Sequence, residues 1–171
     1  VAWSRGRISH AMRAKPLLVA GVCGGVVAVT GILTSGVSWG TGYETTRALL
    51  SGEDVSWSFG PAKLIDTMAT AISGAPGGIF APSLSVGAGL GQLLGIIFPE
   101  QPHGAIVLLG MVGYFAGVVR APLTAAIIMM EMTADRTMIL PLFATAILAN
   151  WVSSQICRPK LYHALSRQFR R

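Results

Sequence analysis

The sequence predicts an all-α membrane protein, and three observations lead to this fold class. Of the 171 residues, 52% are hydrophobic, and the mean hydropathy is +0.61. Only 12% are charged, whereas soluble domains carry about 25% charged residues. The apolar residues form long runs separated by short segments rich in Gly, Pro and charge. This composition excludes a disordered chain, a disulfide scaffold and an ordinary water-soluble enzyme.

The basic residues collect at the two ends of the chain. Residues 1–15 contain four and residues 158–171 contain five, with no acid at either end, whereas the middle holds four basic residues and all seven acids. Because Lys and Arg collect on the cytoplasmic side of membrane proteins, we expect three parts: a basic cytoplasmic segment at 1–15, a helical membrane region at 16–157, and a basic C-terminal helix on the cytoplasmic side at 158–171. The protein would then cross the cell membrane several times. A nucleic-acid-binding surface is not expected, because the basic residues flank an apolar block instead of covering a polar face.

The first part of the chain predicts one long helix and two shorter ones. The apolar stretch 16–39 exceeds the roughly 20 residues that cross a hydrocarbon core. A polar, Gly-containing stretch follows at 40–60, within which residues 43–50 can form a short helix. Residues 61–73 predict a helix with Pro61 at its first position. Its apolar stripe comprises Leu64, Ile65, Met68 and Ile72.

The second part predicts five further helices, separated by Gly- and Pro-containing breaks. They lie at residues 81–98, 105–119, 122–132, 138–157 and 159–169. The total is about eight helices of unequal length, and at about 1.5 Å rise per residue several do not fully span a bilayer. In transporters, broken helices often mark the binding site. This rule points to the breaks before Ile79 and before Pro122.

Glycines recur at four-residue spacing along the apolar segments. The sets are Gly21 and Gly25, Gly36 and Gly40, Gly87, Gly91 and Gly95, and Gly113 and Gly117. This spacing lets helix backbones approach closely. We therefore expect tightly packed helices at these positions.

The most informative stretch is 73–82, where Gly and Pro residues directly precede a predicted helix. The first turn of a helix has amide groups without an intrahelical partner and carries about half a positive charge. Gly77 and Gly78 let the chain bend there and leave space for an ion. Such a terminus binds an anion without a full charge, so a transported anion can also leave. From the residues alone, a plain turn between helices remains the alternative.

Residues 74–82, Gly-Ala-Pro-Gly-Gly-Ile-Phe-Ala-Pro, resemble the GGIFAP signature of the CLC chloride channel and chloride/proton exchanger family. Residues 120–133 resemble that family's RAPLT and EMT elements and are followed by Ile-Leu-Pro at 139–141. Lys160-Leu161-Tyr162 resembles its late LY element, and residues 40–44 match a Gly-rich turn more loosely. The resemblance covers roughly residues 16–165.

The resemblance implies a homodimer in which each subunit has its own ion path, built from two inverted halves. This chain resembles the second half only. The backbone amides of Ile79 and Phe80, at the Gly77–Gly78 bend, are then expected to face a chloride ion. The hydroxyl of Tyr162 is expected to donate to the same ion, since a phenol donates without charge. The alternative for Tyr162 is an aromatic residue at the membrane interface. Chloride is the transported ligand, and no cofactor or metal is expected.

We expect four charged residues within the apolar region to have structural roles and not to take part in transport. Glu131 matches the EMT element and not the glutamates that the family uses for gating or proton transfer. We expect it near a helix end, accepting a hydrogen bond or pairing with Arg120. Arg120 itself is expected as an interfacial or capping charge. Lys63 and Asp66 share one helix and are expected to be solvated or interfacial.

Several family elements have no counterpart in this sequence, namely the GSGIP stretch, the stretch with the gating glutamate and the regulatory domain pair. We therefore expect a partial protein that needs a missing N-terminal half and the lipid bilayer, and that does not transport alone. Channel and proton-coupled exchanger both remain open. No enzymatic activity is expected.

Two other classes of function would use different features of the sequence. An intramembrane serine protease would use Ser38, in Gly36-Val37-Ser38, with His103 as the only histidine away from the basic ends. A purely structural membrane module would assemble through the Gly-spaced helices and would show no dependence on anions.

Overall fold

The computed structural model describes residues 15–73, 78–133 and 137–156. Within these ranges the chain forms seven α-helices and no strand, which confirms the all-α prediction. The helices are α1 (Pro16–Leu33), α2 (Tyr43–Leu50), α3 (Phe59–Ser73), α4 (Phe80–Gly95), α5 (His103–Val119), α6 (Pro122–Thr133) and α7 (Ile139–Ile156). The basic ends and the helix predicted at 159–169 lie outside the described residues.

Several helix boundaries differ from the prediction: the helix predicted at 81–98 ends at Gly95, and the one predicted at 105–119 begins at His103. Two other boundaries differ for local reasons. Helix α1 ends at Leu33, well before residue 39, because Ser35 and Gly36 take positive φ angles of 54° and 83°. Helix α3 begins at Phe59, two residues before Pro61. Pro61 thus lies in the first turn, where its missing N–H has no intrahelical partner to lose.

The packing centres on α4 and α5, which form the most extensive helix pair. A Cβ added to Gly87 would lie 2.6 Å from the Met111 Cα, and one added to Gly91 would lie 2.8 Å from the Val107 Cα. Only glycine therefore permits this approach, and close packing at Gly87 and Gly91 is confirmed. Helix α5 also packs on α6 and α7, α4 packs on α2 and α3, and α1 packs on α3.

Two of the predicted glycine pairs do not pack helices together within the described chain. Open space surrounds the positions where Gly21 and Gly25 would carry a Cβ. Gly36 and Gly40 lie in the turn after α1, with φ angles of 83° and 65°. The spacing of these four glycines therefore reflects an outward face of α1 and a turn, not a helix–helix contact.

Helix α3 presents the opposite face from the one predicted. Lys63 and Asp66 are only 2% and 5% exposed, whereas Ile65 and Met68 of the apolar stripe are 47% and 55% exposed. The expectation that Lys63 and Asp66 are solvated or interfacial is therefore wrong. In a membrane protein, apolar side chains can face lipid, while polar side chains turn inward to find partners.

Two helices, α1 and α7, are long and apolar enough to cross a membrane by length and composition. Helices α5 and α6 are apolar but have only 17 and 12 residues. The described helices are thus of unequal length, as the apolar segments predict.

Candidate anion-binding site

Helix α4 begins with main-chain donors that have no main-chain acceptor among the described residues. Ile79 occupies the N-cap position without a side-chain cap, and the first helical hydrogen bond runs from the Ser83 amide to the Ile79 carbonyl at 3.1 Å. The amides of Ile79, Phe80 and Ala81 precede this bond, and in the described part of the chain they donate to no main-chain carbonyl. These three adjacent donors, which lack a main-chain acceptor among the described residues, are called the free amides below.

The same terminus carries no formal charge. Residues 78–95 contain no Lys, Arg, Asp or Glu. The attraction that α4 supplies to an anion is therefore that of its aligned peptide dipoles and free amides.

This end of α4 can be reached from outside the described chain. Gly78 is exposed, and a Cβ built on it would have open space around it. Ile79 is half-buried, and Phe80 is 39% exposed. A ligand, or another part of a larger protein, can thus approach the three amides.

The aromatic ring of Phe80 anchors the first turn of α4 to the core. It meets the Phe115 ring edge to face, with the ring centroids 5.0 Å apart and the planes at 80°. Phe115 is buried in α5. The side chain of Phe80 therefore packs against the core, while its amide donates to no main-chain carbonyl of the described residues.

The second turn of α4 is held by a buried hydrogen-bond network with α2 and the turn before it. The Ser85 hydroxyl donates to the Thr41 carbonyl at 2.8 Å and accepts from the Thr46 hydroxyl at 3.0 Å. Gly42 lies against it with φ of 76°, and a Cβ there would be 2.8 Å from the Ser85 Oγ. These contacts set the direction of the α4 axis, and with it the direction of the free amides.

The structure describes three of the five residues predicted to bind the anion. Gly78, Ile79 and Phe80 are consecutive at the start of α4. Gly77 and Tyr162 lie outside the described residues, so their roles stay predictions.

The two other charged candidates occupy opposite ends of α6. Arg120 caps α5 in a left-handed conformation with φ of 60°, and its amide donates to the Ala116 carbonyl. Glu131 is exposed in the last turn of α6. From Pro122 to Glu131, α6 rises by roughly 14 Å at about 1.5 Å per residue. Arg120 thus occupies a capping position, as expected, and its pairing with Glu131 stays a prediction.

Ser38 does not have the surroundings of a nucleophile. It is buried, its hydroxyl accepts from Thr34 at 3.1 Å, and its carbonyl accepts from the Lys63 ammonium. His103 is exposed at the start of α5. No described contact joins Ser38 to a base.

Sequence reasoning missed a buried polar cluster at the α1–α3 interface. The Lys63 ammonium donates to the carbonyls of Ser38 at 2.8 Å and Gly40 at 2.6 Å. One oxygen of Asp66 accepts from the Thr30 hydroxyl. The sequence did contain a sign of this burial. Lys63 and Asp66 lie on the same face of α3 as the small residues Ala62 and Ala69, which suits close packing.

Comparisons with known proteins agree with the resemblance. The family model for voltage gated chloride channels matches residues 1–154. The H(+)/Cl(-) exchange transporters ClcA of Yersinia pestis bv. Antiqua (strains Angola and Antiqua) and Yersinia pseudotuberculosis serotype O:3 (strain YPIII) are each 33% identical to this chain over 163 residues. Each match includes 88% of this chain and 33% of the relative. The chain thus spans about a third of the length of these curated relatives.

Proposed function

This chain belongs to the voltage-gated chloride channel family, and from that premise we propose that it forms the second half of a membrane domain that transports chloride or a similar monovalent anion. One observation carries the proposal: the amides of Ile79, Phe80 and Ala81 lie at a helix terminus without a formal charge and donate to no main-chain carbonyl of the described residues. The printed name of the relatives, H(+)/Cl(-) exchange transporter, supports an anion as the substrate.

The proposed site is suited to transport because it attracts an anion weakly. A helix N-terminus stabilises an adjacent negative charge by roughly 0.3–2 kcal/mol. A lysine 4 Å away would contribute about 4 kcal/mol at an effective dielectric constant of about 20. The weaker attraction lets the anion leave on the other side of the membrane, which a transport cycle requires.

We further propose that Gly77, Gly78 and Tyr162 complete the site. The two glycines place the chain so that the amides of Ile79 and Phe80 point at the anion. The Tyr162 hydroxyl adds an uncharged donor. These assignments rest on the resemblance to the family signature and on the position of residues 78–80 at the start of α4.

The surroundings of the site are a cell membrane and a larger protein. Helices α1 and α7 expose most of their apolar side chains, including Leu17 and Ile156. Water-soluble monomers rarely expose such extended apolar surfaces. We propose that lipid, a second copy of the subunit and the other half of the protein cover the apolar faces of α1 and α7.

The proposal is tested on the complete parent protein by removing one amide at a time. Replacing Phe80 by the corresponding α-hydroxy acid turns its amide into an ester and keeps its ring. Loss of one hydrogen bond should weaken chloride binding, measured by calorimetry, by roughly 2- to 10-fold. The same exchange at Leu90, in the middle of α4, serves as the control. If the two ester-containing proteins bind chloride with equal affinity, the Phe80 amide does not bind the anion, and the proposal is wrong.

A further inference from the structure

An open groove of about 600 Å³ runs between α1 and the last turn of α3. On α1 its lining residues are three or four positions apart, so they share one face of the helix. Gly78, Ile79 and Phe80 do not line it, so it is separate from the described part of the proposed anion site. The groove is lined by residues that include Leu17, Ala20, Gly24, Val27, Thr70 and Ser73.

The interior of the groove suits a hydrocarbon chain. The α1 side consists of apolar or small residues. On the α3 side, the Thr70 hydroxyl donates to the Asp66 carbonyl at 2.8 Å, and the Ser73 hydroxyl donates to the Thr70 carbonyl at 2.7 Å. Hydroxyls that bond to their own helix need no polar partner from outside it. An apolar ligand can therefore fill the groove without leaving these two hydroxyls unsatisfied.

The length of the groove matches one leaflet of a bilayer. Leu17 and Val27 both line it and are ten residues apart, which is roughly 15 Å along a helix. The hydrocarbon core of a bilayer is about 30 Å thick. Because α1 is long and apolar enough to cross a membrane, an acyl chain lying along it would occupy the groove over one leaflet.

The end of the groove at the start of α1 is next to positive charge. Lys15 is the exposed N-cap residue of α1 and directly precedes Pro16, which lines the groove. Residues 1–14 add three arginines and no acid, and residues 67–99 contain no acid either. Basic clusters beside a membrane helix attract anionic lipid headgroups. Charge complementarity therefore favours an anionic lipid over an apolar protein surface as the occupant.

We propose that the groove between α1 and α3 binds an anionic phospholipid. One acyl chain lies along α1, and the headgroup phosphate accepts a charge-assisted hydrogen bond from the Lys15 ammonium. Gly24 leaves room for the chain, since a Cβ built on it would have open space around it. This lipid site does not depend on the proposed transport function.

The experiment is photo-crosslinking of the complete parent protein in phosphatidylcholine vesicles. The vesicles contain a trace of phosphatidylglycerol or of phosphatidylcholine, each with a photoreactive group in the acyl chain, and mass spectrometry locates the crosslinks. Phosphatidylglycerol should label residues 17–27 at least about 5-fold more than phosphatidylcholine, which is the ratio expected from one basic residue.

Two pairs of variants test the headgroup and the chain separately. Lys15→Gln should lower the preference for phosphatidylglycerol by about 5-fold, whereas Arg47→Gln, at an exposed position on α2, should leave it unchanged. Gly24→Leu fills the groove and should remove most of the labelling. Gly25→Leu is the matched control, because Gly25 also has open space around it but does not line the groove.

Equal labelling by the two lipids would overturn the proposal, because α1 would then contact bulk lipid only. Absence of labelling by both would also overturn it, since the other half of the protein or a second copy would then cover the groove. If Gly24→Leu does not assemble, the Lys15→Gln result decides. A protein that shows the lipid preference and moves no chloride retains this site and loses the proposed function.

Discussion

The ring of Phe80 lies edge to face against the buried ring of Phe115, with centroids 5.0 Å apart. This contact joins the first turn of α4, which carries the free amides, to the C-terminal part of α5. We therefore expect the orientation of the proposed anion site to depend on Phe115, a core side chain of α5.

The Phe115→Ala variant should be both less stable and weaker in chloride binding. Removing a buried phenylalanine costs about 3–5 kcal/mol, and the first turn of α4 loses its anchor. Thermal unfolding and calorimetry of the parent protein measure the two effects. Phe115→Leu, which keeps most of the volume, should change both less. Unchanged chloride affinity in a folded Phe115→Ala variant would show that the ring contact does not orient the amides.

Side-chain changes at the proposed site should be milder than loss of an amide. Ile79→Val and Phe80→Leu keep every N–H group, so we expect chloride affinity within about 3-fold of wild type, against the larger loss expected for the Phe80 ester. Calorimetric titration with chloride compares them directly. A greater loss with Ile79→Val than with the ester would assign binding to the side chains.

The hydroxyl of Tyr162 is tested by Tyr162→Phe, which removes one donor and keeps the ring. If that hydroxyl donates to the anion, the chloride dissociation constant should rise by roughly 2- to 10-fold. Tyr43, exposed at the start of α2, supplies the matched control as Tyr43→Phe. Identical affinities for both variants would favour an interfacial position for Tyr162.

The Gly87→Ala variant should destabilise the protein. Its Cβ would lie 2.6 Å from the Met111 backbone, so α4 and α5 must move apart at a cost of about 1–3 kcal/mol. Gly25→Ala places a Cβ in open space and should be neutral or slightly stabilising, because alanine favours the helix by about 1 kcal/mol. The midpoint of thermal unfolding in detergent tests both, and equal shifts would contradict the packing described here.

The Lys63→Met variant should be strongly destabilising although the substitution is apolar. It leaves the carbonyls of Ser38 and Gly40 without their side-chain donor. Ser38 is buried, and a buried unsatisfied group costs about 1–3 kcal/mol. Lys15→Met, at an exposed position, should have little effect on the unfolding midpoint. A Lys63→Met protein as stable as wild type would mean that the buried cluster does not support the fold.

Much of the candidate site was predictable because its chemistry is local. The break at 73–78 and the helix that follows it set where the free amides occur, and the absence of charge in residues 78–95 can be read directly from the sequence. No distant contact is needed for a helix terminus to present its first amides. The role of Phe115 was not predictable, because its partner Phe80 is 35 positions away in the sequence.

The sequence by itself determined that the chain is helical, where its helices break and which family it resembles. Only the tertiary structure decided which faces of those helices are inside. Lys63 and Asp66 are buried while Ile65 and Met68 are exposed, and Gly87 packs while Gly25 does not. The physical reason is that lipid and protein interior are both apolar, so hydrophobicity does not distinguish them. Which faces are buried depends on close backbone contacts and on hydrogen-bond partners for polar groups. Both involve residues that are far apart in the sequence.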